Sequence, residues 1–362
     1  MDRRARAKDI SGCAIVGIIN EKGKCIRGDV ITKAIAVMHE RSNGLGGGFA
    51  GYGIYPEFKD YYAFHISFDD ETIKSSVEDF LREKMVLVKS EAIPIRKKMN
   101  LPKTPILWRY FLEVPKSKLL SGVSEEDYVV SVVMKINTRF DGAFVFSSGK
   151  NMGVFKGMGY PEEISRFYRL EEYEGYLWTA HGRFPTNTPG WWGGAHPFSL
   201  LDWAVVHNGE ISSYGTNKRY LEMFGYECTL MTDTEVIVYM LDLLLRKHNL
   251  PEDIALTALA PPFWREIDEM DKNKREAMTA LRMVYSSALL NGPFSIIISN
   301  SSSMIGLTDR IMLRPLVVAR KQDYVYMSSE EAAIREICSD PDEVWSPQGG
   351  EPVYARLEEK LV

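Results

Sequence analysis

The sequence predicts an α+β protein in which sheets are layered against helices, and three observations carry that expectation. Short apolar segments rich in β-branched and aromatic residues concentrate toward both ends of the 362-residue chain. Helical patterns gather between Asn217 and Leu290. The two kinds of segment do not alternate as a doubly wound parallel sheet requires, so helices packed outside sheets fit the pattern.

In chain order, the predicted strands are residues 13–19, 61–68, 128–136, 143–146, 177–181, 203–207, 294–298 and 324–327. The predicted helices are residues 29–40, with Asp29 as N-cap, then 233–245, 252–260 and 266–289. Pro261-Pro262 separates the last two. No internal repeat and no Pro- or Ser-rich linker divides the chain. One domain is therefore expected over residues 13–362, behind a short leader of residues 1–12, with an elaboration at about 57–174.

Composition excludes several classes. An apolar fraction of 45% and a charged fraction of 26% are those of an ordinary soluble globular protein. A formal net charge of -5 argues against nucleic acid as the main partner, because phosphate binding needs a concentrated basic surface. No apolar run approaches the roughly 20 residues that span a bilayer. The first twelve residues are basic but lack the apolar stretch of a secretory signal, which points to the cytoplasm. Cys13, Cys25, Cys228 and Cys338 are scattered, with no paired CxxC and no clustered histidines. That spacing supports no metal site and no disulfide framework.

Four clusters could carry chemistry. In Ser11-Gly12-Cys13-Ala14-Ile15-Val16-Gly17, a cysteine opening an apolar strand is usually just a small buried residue. Gly12 leaves little obstruction to cleavage of the bond before Cys13. Cleavage would give Cys13 an α-amine with a pKa of about 7.7–8.0, able to act as base toward its own thiol. An intact bond leaves an amide nitrogen, which cannot accept that proton.

His181-Gly182-Arg183-Phe184-Pro185-Thr186-Asn187-Thr188-Pro189 ends a predicted strand and continues through Trp191-Trp192 to Ala195-His196-Pro197. An arginine there is commonly a solvated ion-pair residue. Opening a polar loop, its guanidinium fork also suits a substrate carboxylate. In Val205-Val206-His207-Asn208-Gly209-Glu210-Ile211, Asn-Gly is a turn signal, or else an oxyanion hole built from a side-chain amide and a backbone N–H. In Met231-Thr232-Asp233-Thr234-Glu235, Thr232 or Asp233 is an ordinary N-cap, and Asp233 could also face a substrate ammonium. Gly46-Gly47-Gly48-Phe49-Ala50-Gly51 fits G-x-G-x-x-G but lies between a predicted helix and a strand, the reverse of the dinucleotide-binding context. These glycines instead suit a close backbone approach or a tight turn.

In this order the clusters resemble the class II glutamine amidotransferases, a branch of the N-terminal nucleophile hydrolases. The nearest likeness is to the amidotransferase domain of glutamate synthase. It rests on Arg183–Thr188, Ala195–Phe198, Asn291-Gly292-Pro293-Phe294, Asp309-Arg310, Leu313-Arg314-Pro315-Leu316 and Ser328-Ser329-Glu330. Ala14 departs from the glycine common there, and Gln348-Gly349-Gly350-Glu351-Pro352 matches only loosely.

The resemblance implies a four-layer αββα sandwich. It also implies Cys13 as nucleophile toward the glutamine side-chain amide, and Asn208 with Gly209 as oxyanion hole. Arg183 and Thr186 would hold the substrate α-carboxylate and Asp233 its α-ammonium. The implied activity is hydrolysis of L-glutamine to glutamate and ammonia, with ammonia passed to a separate flavin-bearing synthase subunit. No cofactor is expected in this chain, and FMN and iron–sulfur clusters are expected on partner subunits. The alternatives are an amidotransferase subunit serving another acceptor, such as a phosphoribosyl one, and a non-catalytic binding subunit that retains the fold.

Overall fold

A computed structural model describes residues 12–119, 122–184 and 190–358. Ala14–Asn20 is buried along its whole length and lies near the middle of a seven-stranded antiparallel sheet. The order across that sheet is Glu343–Trp345, Val317–Lys321, Tyr324–Ser328, Ala14–Asn20, Leu177–Gly182, Gly47–Tyr52 and Met152–Gly157. A five-stranded sheet runs Phe198–Leu200, Trp203–Gly209, Phe294–Ser299, Ser303–Thr308 and Val353–Arg356.

The two sheets lie face to face, with Ala14–Asn20 against Trp203–Gly209, Phe294–Ser299 and Ser303–Thr308. Hydrogen bonds cross between them. His181 Nε2 lies 2.9 Å from the His207 carbonyl oxygen, and Tyr52 donates to the Ser299 carbonyl at 3.0 Å.

Helices close both outer faces. Gly28–Ala36 buries Ile31, Ala34 and Ile35 on the seven-stranded side, joined there by Pro161–Phe167 and Glu331–Ile337. Asp233–Leu241 packs on Trp203–Gly209 and Phe198–Leu200, and its residues from Thr234 to Leu241 are all buried. The result is the four-layer αββα sandwich of the N-terminal nucleophile hydrolase type. Covering both faces explains why Ala14–Asn20 reads as a continuous apolar run. Ile15, Val16 and Ile19 are fully buried, and each contributes roughly 1.5–3 kcal/mol, anchoring the chain two residues beyond Cys13.

Three expectations need correction. Residues 128–136 form part of a helix, Glu125–Arg139, and not a strand. Its β-branched run is overridden by the Ser124 N-cap, which accepts from the Asp127 N–H at 3.0 Å, by three acids in the first turn, and by burial of Val129, Val132, Val133 and Ile136 at helical spacing. Asp29 is not an N-cap. Arg27 holds that position, and Asp29 lies in the first turn, paired with Arg27 at 3.1 Å. The long helix expected over 266–289 is two helices, Trp264–Asp268 and Lys272–Val284, the second capped by Asp271.

The glycines at 46–51 lead into Gly47–Tyr52, a strand inside the seven-stranded sheet. A methyl on Gly48 would lie 2.3 Å from the His196 carbonyl oxygen, so the close-approach reading holds there. Of residues 57–174, Tyr62–Phe68, Val86–Ala92, Ile106–Glu113 and Ala143–Ser147 form a separate four-stranded sheet under Glu71–Lys84 and Glu125–Arg139. Met152–Gly157 and Pro161–Phe167 belong to the main layers. No helix among the described residues is long and apolar enough to cross a membrane.

Candidate active site

Cys13 stands at the start of Ala14–Asn20, where the chain enters the sheet. Its Sγ accepts the Phe184 N–H at 3.4 Å. That contact brings together two motifs 171 residues apart in sequence. Burial pushes the thiol pKa up, while the Phe184 N–H and the positive charges of Arg183 and Arg314 pull against it.

Arg183 directly follows Leu177–Gly182 and is 5% exposed. Its backbone is fixed by its own N–H to the Gly46 carbonyl at 2.9 Å, and by the Asn43 N–H and the Ser42 hydroxyl, both 3.2 Å from its carbonyl oxygen. Burial lowers the guanidinium pKa, and the charges of Cys13 and Asp233 act in the opposite sense. Thr186, expected beside Arg183 in substrate binding, lies outside the described residues.

Asn208 and Gly209 close the strand Trp203–Gly209, which faces Ala14–Asn20 from the other sheet. Asn208 is fully buried, and its Nδ2 donates to Ser329 Oγ at 3.2 Å. Ser329 Oγ also accepts the Ile15 N–H at 3.2 Å, so one hydroxyl ties the carboxamide to the chain two residues after Cys13. The other carboxamide atom, Oδ1, is buried without a partner. Gly209 has φ +143°, and a methyl there would lie 2.0 Å from the Pro293 carbonyl oxygen. Only glycine fits, and Asn-Gly here terminates a paired strand instead of forming a two-residue hairpin.

Asp233 is the first residue of its helix, and the Thr232 side chain caps that helix by accepting the Thr234 N–H. Its Oδ2 accepts the Ile211 N–H at 2.9 Å, and its Oδ1 lies 3.5 Å from His207 Nδ1. Burial alone would raise this carboxyl. His207, the Ile211 N–H and Thr234 together outweigh it and hold the pKa below the ordinary value. The site thus presents a carboxylate and, from the opposite layer, a guanidinium.

Three histidines absent from the sequence-level site hold Asp233 in place. The Thr234 hydroxyl donates to Asp233 Oδ1 at 3.3 Å and lies 2.6 Å from His196 Nε2 and 3.1 Å from His207 Nδ1. With its own proton committed, it accepts from both rings. His181 Nε2 must likewise donate, since a carbonyl oxygen only accepts. His181 Nδ1, His196 Nδ1 and His207 Nε2 are buried without a hydrogen-bond partner. Burial, which drives His181 down to about 3 and His196 well below its ordinary value, keeps those two neutral. His181 and His196 stack with centroids 4.1 Å apart.

Arg41 and Arg314 were also missed. Arg41 Nε donates to the Cys13 carbonyl at 3.3 Å, and Arg41 Nη1 pairs with Glu330 at 2.8 Å. Arg314 entered the sequence reading only as part of a C-terminal motif. Neither has a local signal that separates it from a solvated surface arginine. A cavity of about 300 Å³ lined by Lys135, Arg139, Tyr226 and Lys247 does not include any of these site residues.

The family model of class II glutamine amidotransferases matches residues 70–345, more than half of the chain. An uncharacterized protein of Archaeoglobus fulgidus is 54% identical over 98% of this chain and 94% of its own length. A putative glutamine amidotransferase of Methanothermobacter thermautotrophicus is 26% identical over 94% of this chain and 98% of its own. The large chain of a Bacillus subtilis NADPH glutamate synthase is 28% identical over 50% of this chain and 13% of its own.

Proposed function

The chain belongs to the class II glutamine amidotransferases, and from that premise we propose that it hydrolyses L-glutamine through a thioester on Cys13. The observation that carries the reading is convergence. Cys13, Arg183, Asn208 and Asp233 come from separate elements, yet the Phe184 N–H touches Cys13 Sγ and the charges of Arg183 and Asp233 both act on that thiol.

The α-carboxylate of glutamine pairs with the Arg183 guanidinium and its α-ammonium with Asp233, which fixes the side-chain amide over Sγ. Removal of residues 1–12 frees the Cys13 amine. The amine takes the thiol proton as sulfur bonds to the amide carbon. The developing oxyanion is met by the Asn208 carboxamide and the Gly209 N–H. Collapse of the intermediate returns the proton to nitrogen and releases ammonia. Water then attacks the thioester, and glutamate departs with the thiol restored.

Ammonia passes to a synthase subunit of glutamate synthase type, in the cytoplasm. The C-terminal motifs around Asp309-Arg310 and Leu313–Leu316 and the partial match to a glutamate synthase large chain support that acceptor. This chain requires no cofactor of its own, and flavin and iron–sulfur chemistry fall to the partner. A glutaminase assay, with and without the co-expressed synthase partner, tests the activity. Cys13→Ala should abolish ammonia release and Cys13→Ser should leave at most a trace. Substantial turnover by either removes Cys13 from the mechanism.

A further inference from the structure

Two guanidinium groups converge on the bond whose cleavage creates the terminal amine. A methyl placed on the Gly12 α-carbon would lie 3.2 Å from Arg41 Nη2 and 3.2 Å from Arg314 Nη1. That carbon is one carbonyl removed from the Cys13 nitrogen. Both guanidinium ends therefore stand within roughly 7 Å of it, close enough for a like charge to disfavour protonation.

The two arginines differ in what else they hold. Arg41 is paired with Glu330 at 2.8 Å, so much of its charge is balanced. Arg314 has no carboxylate partner among the described residues, and its Nε is buried and unpaired.

We propose that Arg314, assisted by Arg41, keeps the Cys13 α-amine in its unprotonated, proton-accepting form once residues 1–12 are gone. The inference rests on the reading of Cys13 as a terminal nucleophile. A free α-amine titrates at about 7.7–8.0, so at neutral pH most of it would be an ammonium ion with no lone pair. A neutral amine accepts the thiol proton as the carbon–sulfur bond forms. The resulting ammonium returns that proton to the departing amide nitrogen, and ammonia leaves with the amine neutral again.

The remaining charges facing this nitrogen do not cancel Arg314. Arg183, from the end of Leu177–Gly182, has the same sign and acts on Cys13. Glu330, beyond Tyr324–Ser328, is engaged by Arg41. Asp233, from the helix on the opposite sheet, accepts the Ile211 N–H and faces His207.

The test compares wild type, Arg314→Met and Arg314→Lys, all expressed with the leader and checked by intact mass for loss of residues 1–12. Should Arg314→Met block processing, the same substitution is read in a gene encoding Met followed directly by Cys13, whose initiator is removed during synthesis. Glutaminase kcat/KM is measured across roughly pH 6–9, and the amine is titrated by NMR on ¹⁵N-cysteine-labelled enzyme. Arg314→Met should move the acid limb, and the ¹⁵N titration with it, upward by about one pH unit. Arg314→Lys should restore both toward wild type. A processed Arg314→Met enzyme whose limb and ¹⁵N titration coincide with wild type overturns the inference while leaving Cys13 as nucleophile. An active wild type that retains residues 1–12 overturns the terminal-nucleophile reading and this inference together.

Discussion

The two sheets contribute unlike chemistry to the seam between them. The seven-stranded side supplies Cys13 and Arg183 at strand ends, and Arg314 just before the strand Val317–Lys321, with Arg41 from its outer helical layer. The five-stranded side supplies Asn208 and Gly209, both neutral, and the single carboxylate Asp233 from its own outer layer. Positive charge thus lies around Cys13, where the proposed mechanism develops thiolate character. The five-stranded side contributes no charge at Asn208 and Gly209, the proposed oxyanion donors. In the proposed mechanism a substrate carrying a carboxylate and an ammonium group takes one orientation across the seam, since the guanidinium and the carboxylate belong to opposite layers.

That division separates binding from rate. The largest effect is expected on the five-stranded side, where Asn208→Ala should lower kcat by roughly 10²–10³ with little change in KM, because the donor acts on charge present only in the transition state. Steady-state glutaminase kinetics read this directly, and an unchanged kcat would return Asn208 to a structural role. On the seven-stranded side, Arg183→Lys keeps the charge and loses the bidentate fork. It should raise KM by roughly 10-fold, about the 1.4 kcal/mol expected for one charge-assisted hydrogen bond, and leave kcat within a few-fold. A loss confined to kcat would erase the distinction between the layers.

The smallest effect concerns a buried pair that spans the layers. Burial raises Glu235, on the helix Asp233–Leu241, to about 7, although it accepts the Thr229 and Leu230 N–H groups. Burial lowers Lys156, on the edge strand Met152–Gly157, to about 7. An unfolded glutamate gives up its proton near 4.3, so between there and about 7 the folded state binds more protons than the unfolded one. Stability from this group is therefore complete at low pH and declines as pH rises through that window. Glu235→Gln cannot titrate, and its thermal midpoint should fall less steeply between pH 5 and 7.5 than that of wild type, by about a few degrees. Parallel curves would mean that Glu235 is ionised throughout.

What the sequence disclosed follows from which residues work in adjacent pairs. Asn208-Gly209 and Asp233 beside Thr232 announce themselves because a donor or cap and its backbone requirement are neighbours in the chain. Cys13 is a candidate through Gly12 and the order of the later motifs, since the apolar strand after it equally suits a buried cysteine. Arg41 and Arg314 are not, since their meaning depends on convergence at Gly12 from 28 and 301 residues beyond Cys13. Ser329 entered only within the motif Ser328-Ser329-Glu330, and its bridging position was not legible because its two donors come from different sheets. The helix Glu125–Arg139 was misread because its β-branched run speaks for a strand, and the decisive terms were a cap and a first turn just outside that run. A layered α+β arrangement was legible from apolar strand segments near both ends with helical patterns gathered between Asn217 and Leu290, whereas the four-layer order came from the family resemblance.

The central claim is that Cys13 acts as a terminal nucleophile, and intact mass spectrometry of the purified protein tests it most directly, before and after exposure to a diazoketone analogue of glutamine. The expected result is a chain lacking residues 1–12 that gains a single adduct on Cys13, with ammonia release lost in step. A chain that keeps residues 1–12 and hydrolyses glutamine at full rate, or one labelled elsewhere, would contradict it.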